Sequence, residues 1–293
     1  MPRIITYNVQ TTETVKNILK NKLKMSERFI RKLKLNDKIT CNEKKLKIND
    51  IVEEGNIVTI NLNFEEESEN IDSIEMPLDI LYEDEWLIVI NKPANMVVHP
   101  SVLHRTDSLA NAVKFYLEAK NEKIKMRFVN RLDRDTTGIV IFAKSEYIQE
   151  SLTIQMQEGK LIKEYRTIVE GNLEGNGTID KPIKRQEGSI MLREVASDGE
   201  SAVTHYEVLQ NMDNMSLVKV ILETGRTHQI RVHMKEVGHP LVGDDLYGNK
   251  SKLINRQALH AYRMIFIHPV TSQEMEFIAD IPEDMGKIVI NKA

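Results

Sequence analysis

The chain has 293 residues, 41% of them hydrophobic and 29% charged, and this composition excludes an intrinsically disordered protein. No apolar run approaches the roughly 20 residues that cross a bilayer, which excludes a transmembrane helix. The single cysteine, Cys41, cannot form an internal disulfide, and the N-terminal residues lack a basic segment followed by an apolar one. The sequence therefore predicts a cytoplasmic protein of about two domains with no membrane partner.

The net charge of −4 conceals an uneven distribution of charge along the chain. Residues 1–62, here called the basic module, carry 13 basic and 7 acidic side chains. Residues 63–85 carry 10 acidic side chains and none that is basic. A compact basic module is typical of a surface that binds polyanions, although a solvated lysine-rich surface has the same charge.

The basic module predicts two helices followed by strands. Thr11 or Thr12 can cap the first helix, and Ser26 can cap a second with the sequence ERFIRKLKL, whose apolar side chains recur at helical spacing. The opposite face of the second helix is cationic, and so is the strand pair KITCN and KKLKI that follows it. Together they predict a surface that follows a phosphate backbone. The candidate contact residues on this surface are Arg28, Arg31, Lys32, Lys44 and Lys45.

The stretch NFEEESENIDSIEMP separates the basic module from the rest of the chain. It is acidic, lacks apolar periodicity and ends in proline, a composition typical of an exposed, extended linker. We therefore predict a first domain at residues 1–62, an acidic linker at residues 63–77 and a larger main body at residues 78–293.

The main body mixes strands and helices without the regular alternation of a doubly wound parallel sheet. WLIVINKP and GIVIFAK predict buried strands. Asp107 and Ser108 are predicted to open one helix, and Ser145 is predicted to cap another. KEYRTIVEG, SAVTHYEVL and SLVKVILET predict three further strands in close succession, which favours an α+β fold with a largely antiparallel sheet. A last helix is predicted with Thr227 as its N-cap and with Gly238 and Pro240 at its end.

The motif NRLDRDTTG, residues 130–138, places Asp133 and Asp135 just before a predicted buried strand. Either carboxylate could act in chemistry or could merely cap the turn. No glycine-rich phosphate loop is present, no histidine pair has the spacing of a helical zinc site, and Cys41 has no histidine near it in sequence. The sequence therefore favours carboxylate chemistry without a metal site.

A cationic helix face is predicted downstream of this motif. Helical spacing in THQIRVHMK would place His228, Arg231 and Lys235 on one side of the last predicted helix. A cation on that side would suit a carboxylate, but an isolated surface face is equally consistent with the spacing.

Five stretches in the main body, in this order, resemble the RluA-type family of RNA pseudouridine synthases: LYEDEWLIVINKPANMVVHP, NRLDRDTTGIVIFAKS, LIKEYRTIVEG, GRTHQIRVHM with GHPLVGDDLYG, and LHAYRMIFIHP. In the basic module, SERFIRKLKLNDKITCNEKKLK resembles the S4 RNA-binding domain, which often precedes the catalytic domain in this family. Asn36 and Asn42-Glu43 stand where S4 domains usually have glycine, and asparagine tolerates the left-handed backbone conformation.

The resemblance implies an α+β fold. The expected pseudouridine synthase catalytic domain has a mixed, largely antiparallel central sheet flanked by helices, and a small S4-like α/β module precedes it. The expected enzyme is an isomerase that converts specific uridines in structured RNA to pseudouridine and needs no cofactor. It breaks the N-glycosidic bond and rejoins the base through C5, after flipping the target nucleotide out of the RNA.

The same resemblance implies roles for individual residues. Asp133 is the expected catalytic carboxylate, Arg231 its partner, and Tyr165 an active-site residue that packs against the base and is a candidate for proton transfer. Arg131 is expected to enter the RNA where the target uridine leaves the stack. Asp135 falls at a position that the family does not use for chemistry.

Two residues depart from the family pattern. Asn130 stands where many members have histidine, and Thr137 stands where serine is common. Both keep the ability to form hydrogen bonds, so the departures concern fine positioning and leave the catalytic trio intact.

The resemblance favours large-subunit ribosomal RNA as the substrate, because members with an S4 module often modify that RNA. It also implies a monomeric enzyme. Transfer RNA is the alternative substrate. A non-catalytic RNA-binding or ribosome-assembly factor would have no reason to keep the catalytic trio. A glycoside hydrolase using Asp133 and Asp135 is disfavoured because alternate residues of an extended segment point to opposite faces.

Overall fold

A computed structural model describes residues 3–64, 66 and 70–292. Residues 65 and 67–69 of the predicted acidic linker lie outside the described residues, as do the terminal residues 1, 2 and 293. Within the described ranges, no helix is both long enough and apolar enough to cross a membrane.

The basic module is built from short strands and helical segments. The elements are β1 (Ile4–Asn8), β2 (Glu13–Thr14), α1 (Val15–Asn17), a π-helical turn (Ile18–Lys22), α2 (Glu27–Leu35), β3 (Ile39–Cys41), β4 (Lys44–Lys45), β5 (Ile51–Val52) and β6 (Ile57–Asn61). The strands form a four-stranded antiparallel sheet in the order β1-β6-β3-β4, together with a small two-stranded sheet of β2 and β5.

Local signals explain most of these elements. The Ser26 hydroxyl caps α2 by accepting the Phe29 backbone N–H at 3.1 Å, as predicted. The first helix differs from the prediction, because its cap is Thr14 and it changes to a π-helical turn after three residues. The hairpin pair Asn42-Glu43 has the expected left-handed backbone, with φ of 47° and 67°.

The turn between α2 and β3 departs from the prediction by one residue. Asp37 has the left-handed φ of 51°, whereas the preceding Asn36 has a φ of −108°. Aspartate also tolerates this region of backbone space, so the turn closes without glycine.

The described part of the linker does not form the exposed tether that its composition predicted. Glu66 forms ion pairs with Lys32 of the basic module and with Arg127 of the main body. The carbonyl of Asp72 accepts a hydrogen bond of 2.8 Å from Asn111 of the main body. These contacts hold the described part of the acidic segment against the protein. Counting charges along the sequence could not show that Glu66 lies beside Lys32 and Arg127.

The basic module also packs directly against the main body. The ring of Phe29 stacks on that of Tyr147, with 6.2 Å between the centroids, and the Tyr147 hydroxyl donates to the Leu23 carbonyl at 3.0 Å. Buried apolar residues of both parts form one continuous cluster. Burial of apolar surface on both sides therefore stabilises their contact.

The main body is built on one large sheet with helices against it. Its strands are β7 (Ile80–Glu83), β8 (Leu87–Lys92), β9 (Thr137–Ala143), β10 (Ile162–Glu170), β11 (Asn176–Asp180), β12 (Ile183–Arg185), β13 (Arg193–Val195), β14 (Val203–Met212), β15 (Met215–Leu222), β16 (Leu259–Ile267) and β17 (Glu274–Ile278). Its helices are α3 (Leu109–Ala119), α4 (Glu146–Gln157), α5 (Gln229–Glu236) and α6 (Glu283–Lys292).

The large sheet has the order β11-β14-β15-β10-β16-β9-β8-β7, and β17 pairs with β16. The paired strands are antiparallel except for β9 and β16, which run parallel. The mixed, largely antiparallel sheet of an α+β fold is therefore confirmed. Every residue of β9 is buried, which explains its continuous apolar sequence.

Gly138 makes the parallel junction of β9 and β16 possible. Its φ is +108°, and a Cβ atom at this position would lie 2.2 Å from the Ala261 carbonyl oxygen. Only glycine fits, because a side chain would be strained by the backbone conformation and would also collide with backbone of β16.

The variant Gly138→Ala is expected to lower the free energy of unfolding by about 3 kcal/mol or more, because backbone strain and steric overlap add. Chemical denaturation measures this loss. Gly188→Ala is the matched control, since Gly188 also has a positive φ, of +74°, but has open space around it. The control is expected to lose only about 1 kcal/mol, and equal losses in the two variants would contradict the steric argument.

Candidate active site

A turn between the buried segment at residue 130 and strand β9 carries Asp133. The backbone N–H of Thr136 donates to the Asp133 carbonyl at 3.2 Å, which closes the turn. The Asp133 side chain is 26% exposed, so its carboxylate is sheltered but still reachable from solvent. The turn therefore presents this carboxylate at the entrance of a fully buried strand.

Lys92, the last residue of β8, anchors this turn from inside the protein. Its side chain is fully buried, and Nζ donates to the carbonyls of Arg134, Pro93 and Met96 at 3.0, 2.7 and 2.8 Å. Burial lowers the pKa of Lys92 to about 7, although the negative charges of Asp135 and Asp133 act in the opposite direction. The three carbonyls occupy the three donors of an ammonium group, so Lys92 ties the turn to the end of β8.

Arg231 on α5 joins Asp133 to a second, buried carboxylate. Its Nη1 donates to Asp133 Oδ2 at 3.1 Å, while Nε and Nη2 donate to the two oxygens of Asp244 at 2.7 and 2.8 Å. Burial alone would lower the pKa of Arg231, but the hydrogen bonds and charges of Asp244 and Asp133 raise it above its usual value. Arg231 is thus a permanent cation with a fixed orientation.

Asp244 is the residue that fixes Arg231, and sequence reasoning did not single it out. Its side chain is fully buried, and Oδ1 also accepts the backbone N–H groups of Leu246 and Tyr247, both at 3.1 Å. The motif GHPLVGDDLYG contains Asp244, but nothing in the sequence distinguishes it from the adjacent Asp245.

His228 forms the other side of the Asp133 environment. The predicted cap Thr227 is not used: the residue before α5 is His228, in a left-handed conformation with φ 59°, and it makes no side-chain capping bond. Its Nδ1 lies 2.8 Å from the Tyr247 hydroxyl, which itself accepts the Arg193 backbone N–H. The hydroxyl can donate to Nδ1, and in that tautomer Nε2 carries the proton.

The ring of His228 turns its second nitrogen, Nε2, towards Asp133. Nε2 lies 3.8 Å from Asp133 Oδ2, the same oxygen that accepts from Arg231. Burial lowers the pKa of His228, although the charge of Asp133 opposes this shift. Asp133 Oδ1 has no hydrogen-bond partner among the described residues, so one carboxylate oxygen is held and the other is free.

Tyr165 on β10 shares the cleft with Asp133. Its side chain is buried, and its hydroxyl forms no hydrogen bond with the part of the chain that the structure describes. Burial, together with the negative charge of Asp133, raises the pKa of Tyr165. The phenol therefore stays protonated at neutral pH and is suited to pack or to donate a hydrogen bond rather than to act as a base.

The cleft has a volume of about 610 Å³, within the usual range of small-molecule sites. Arg131, Asp133 and Tyr165 line it, and a smaller recess of about 60 Å³ is lined by these three residues and Arg231. The structure thus brings together all four residues that the resemblance placed at the site. Within the described ranges, no cluster of three or more potential ligands could hold a metal ion.

Asp135 is directed away from this arrangement. Both of its oxygens accept from the Arg134 guanidinium, at 2.9 to 3.3 Å. The segment that carries Asp133 and Asp135 is a turn and not the extended segment expected from the sequence. The separation of Asp133 and Asp135 therefore results from the turn.

Comparison with known proteins places this site in a family. A family model described as RNA pseudouridylate synthase matches residues 86–236. The chain is 40% identical over 275 residues to the uncharacterized RNA pseudouridine synthase YhcT of Bacillus subtilis (strain 168), covering 93% of this chain and 91% of that protein. It is 38% identical to the ribosomal large subunit pseudouridine synthase D of Vibrio cholerae, covering 80% and 77%.

The chain belongs to the RluA-type RNA pseudouridine synthases. It is therefore an isomerase that acts on RNA. Among solved structures, the human RNA pseudouridylate synthase domain containing 1 is similar, with a TM-score of 0.57 and 26% identity over 70% of this chain and 83% of that one.

The two departures from the family pattern have clear structural uses in this synthase. The Asn130 side chain donates to the Ile139 carbonyl and accepts the Ile141 N–H, both at 2.9 Å. It thereby pairs with backbone groups in the middle of β9. The Thr137 hydroxyl lies 2.8 Å from Nδ1 of His260 on the neighbouring β16.

The basic residues predicted to contact RNA from the basic module lie outside the catalytic cleft. Lys32 and Arg28 are ion-paired with Glu146 of the synthase body at 2.8 and 2.6 Å, and Lys45 pairs with Asp37 at 2.8 Å. Arg31 and Lys44 form no ion pair within the described ranges and remain open to a phosphate backbone. Charge spacing did not indicate that acidic residues of α4 face part of the predicted surface.

Proposed function

We propose that this synthase converts specific uridines of large-subunit ribosomal RNA to pseudouridine, with Asp133 as the catalytic carboxylate. The observation that carries the proposal is the state of that carboxylate. Arg231 binds Oδ2 at 3.1 Å, Oδ1 has no hydrogen-bond partner among the described residues, and Asp133 lines the cleft. The ribosomal assignment is supported by relatives named ribosomal large subunit pseudouridine synthase D, at 38% identity over 80% of this chain.

The proposed chemistry needs no redox change and no net hydrolysis. The bond between N1 of uracil and C1′ breaks, the base turns, a bond forms between C5 and C1′, the C5 proton leaves, and N1 takes up a proton. An ionised carboxylate can act in such a reaction as a nucleophile or by stabilising positive charge that develops on the sugar. Arg231 supports either role, because its hydrogen bond and positive charge hold the Asp133 carboxylate in one direction.

The proposal includes base flipping. Asp133 and Tyr165 lie in a recess that a stacked or paired base cannot reach, so the target nucleotide has to leave its helix or loop. The exposed Arg131 lies at this recess and forms no ion pair with any described residue. A free guanidinium at this point is suited to fill the gap that the base leaves in the RNA.

Mapping of pseudouridines in total RNA tests the substrate assignment. Cells without the gene are expected to lose pseudouridine at one or more sites of large-subunit ribosomal RNA and to regain it when the wild-type gene is restored. The Asp133→Asn gene is expected to restore none. Loss confined to transfer RNA would overturn the ribosomal assignment, and an unchanged pseudouridine map would contradict the proposed activity in cells.

A further inference from the structure

Lys163 is a buried lysine that the chemistry described above does not use. It lies on β10, and its residue surface is only 5% exposed. It forms no hydrogen bond and no ion pair with any residue in the described ranges. The adjacent Glu164 cannot serve as its partner, because that carboxylate pairs with Arg166 and Arg263 instead.

Lys163 lies at the cleft that Asp133 and Tyr165 line. Alternate residues of a strand project from the same face, so Lys163 and Tyr165 are neighbours about 7 Å apart along β10. Lys163, Gly225 and Asp133 line the same cleft. Lys163 Nζ lies 3.6 Å from the point where a Cβ of Gly225 would be, which places the amino group against the cleft wall.

The Lys163 amino group opens to the cleft and has no partner among the described residues, so it does not stabilise the fold. Burial lowers the pKa of Lys163, because the ammonium form loses hydration and no carboxylate replaces it. Lys92, by comparison, has three carbonyl acceptors for its three donors. Residues that are unfavourable for stability in this way are concentrated at functional sites, where a substrate supplies the missing interaction.

The reaction generates a group that matches this site. When the bond between N1 and C1′ breaks, its electron pair stays on the base, and the resulting uracil anion carries its negative charge on N1 and the two carbonyl oxygens. Asp133 is the one carboxylate among the described residues that line the cleft. In the proposed chemistry it acts at the sugar, on the opposite side of that bond. A cation beside the base would stabilise the charge as it develops.

A backbone phosphate is a less suitable occupant. Phosphates of a bound RNA remain at the protein surface, whereas a residue that is 5% exposed is reached only by a group that enters the cleft. The flipped base is that group, and Tyr165, its expected packing partner, stands on the same strand face as Lys163.

We propose that Lys163 is a catalytic residue that donates a hydrogen bond to a carbonyl oxygen of the flipped uracil and stabilises the base as it separates from C1′. This inference rests on the proposed cleavage chemistry of Asp133. The bond between N1 and C1′ breaks and its electrons move onto the base next to the Lys163 amino group. The charge disappears when C5 bonds to C1′, and the C5 proton is then released while N1 takes up a proton.

Single-turnover kinetics of Lys163→Met test the proposal. The substrate is an unmodified transcript on which the wild-type enzyme forms pseudouridine, with large-subunit ribosomal RNA tested first and transfer RNA second. At saturating enzyme, the rate is expected to fall roughly a hundredfold, as for the loss of other groups that stabilise developing charge. The dissociation constant for RNA is expected to change less than about twofold, and the melting temperature is not expected to fall, because the lost amino group has no partner.

Two controls accompany this test: a second lysine variant and a substrate with a better leaving group. Lys160→Met removes a nearby lysine whose side chain is 64% exposed, and it should leave the rate unchanged. In a transcript containing 5-fluorouridine, fluorine makes the base a better leaving group, so the rate penalty of Lys163→Met for cleavage of the N-glycosidic bond should shrink.

Specific outcomes would overturn the proposal. A weaker affinity for RNA with an unchanged single-turnover rate would assign Lys163 to phosphate binding, and a lower melting temperature that accounts for the lost activity would assign it to the fold. An equal penalty with uridine and 5-fluorouridine would argue against a role at the base. Full activity of Asp133→Asn in the same assay would instead refute the proposed function, so the two failures are distinguishable.

Discussion

Asp133→Asn is expected to fold and to bind RNA like the wild-type protein and yet to lose at least roughly 10³-fold in the rate of pseudouridine formation. The substitution keeps the size of the side chain but removes its charge. Arg231 retains its two bonds to Asp244, so the surroundings of residue 133 remain in place. Loss of one negative charge near the RNA should not weaken binding.

Time courses at saturating enzyme measure this loss, with RNA binding followed separately. Asp135→Asn is the matched control, because it removes the neighbouring carboxylate of the same turn, which is sheltered to the same degree but pairs with Arg134. That variant is expected to stay within about twofold of the wild-type rate, because Asp135 does not line the cleft. Equal loss in both variants would revive a mechanism with two carboxylates.

Asp244→Asn is expected to reduce both stability and activity. Asp244 is fully buried and accepts two hydrogen bonds from Arg231. An asparagine would turn an N–H group towards a guanidinium that only donates, and it would leave a buried cation with less compensation. A loss of about 3–5 kcal/mol in the free energy of unfolding is expected from breaking such a pair. The catalytic rate should also fall, because Arg231 would no longer hold Asp133 in one direction.

The ion pair of Arg256 with Asp284 provides a matched control for this prediction. It has the same bidentate geometry, with distances of 2.7 and 2.9 Å, but the Asp284 side chain is 41% exposed. Arg256 also donates to backbone carbonyls, so Asp284→Asn is expected to cost only about 1 kcal/mol and to leave the rate unchanged. Similar losses of stability and rate in both variants would contradict the positioning role of Asp244.

Local sequence patterns predicted the parts of the fold that local forces determine. Ser26, Ser108 and Ser145 each cap a helix where the sequence placed a cap, since the signal lies within three residues. The prediction of Thr227 as a cap was wrong because the chain enters α5 through a left-handed His228. That conformation accompanies the contacts of His228 with Tyr247 and Asp133, which are distant in sequence.

The site was predictable only in part. Family resemblance placed Asp133 and Arg231 together, although 98 residues separate them in the chain. The supporting contacts of Lys92 and Asp244 could not be predicted, because each depends on backbone or side chains brought near by the sheet topology. Lys163 lies in the same motif as Tyr165, but only the structure shows that it lines the cleft without a hydrogen-bond partner among the described residues.

Release of tritium from RNA labelled at C5 of uridine tests the central claim most directly. A pseudouridine can form only if C5 loses its hydrogen, so the assay reports the complete isomerisation. With unmodified large-subunit ribosomal RNA, the wild-type protein is expected to release one tritium for each pseudouridine formed, and Asp133→Asn is expected to release none while still binding the RNA. Release by Asp133→Asn at the wild-type rate would contradict the assignment of Asp133 as the catalytic carboxylate.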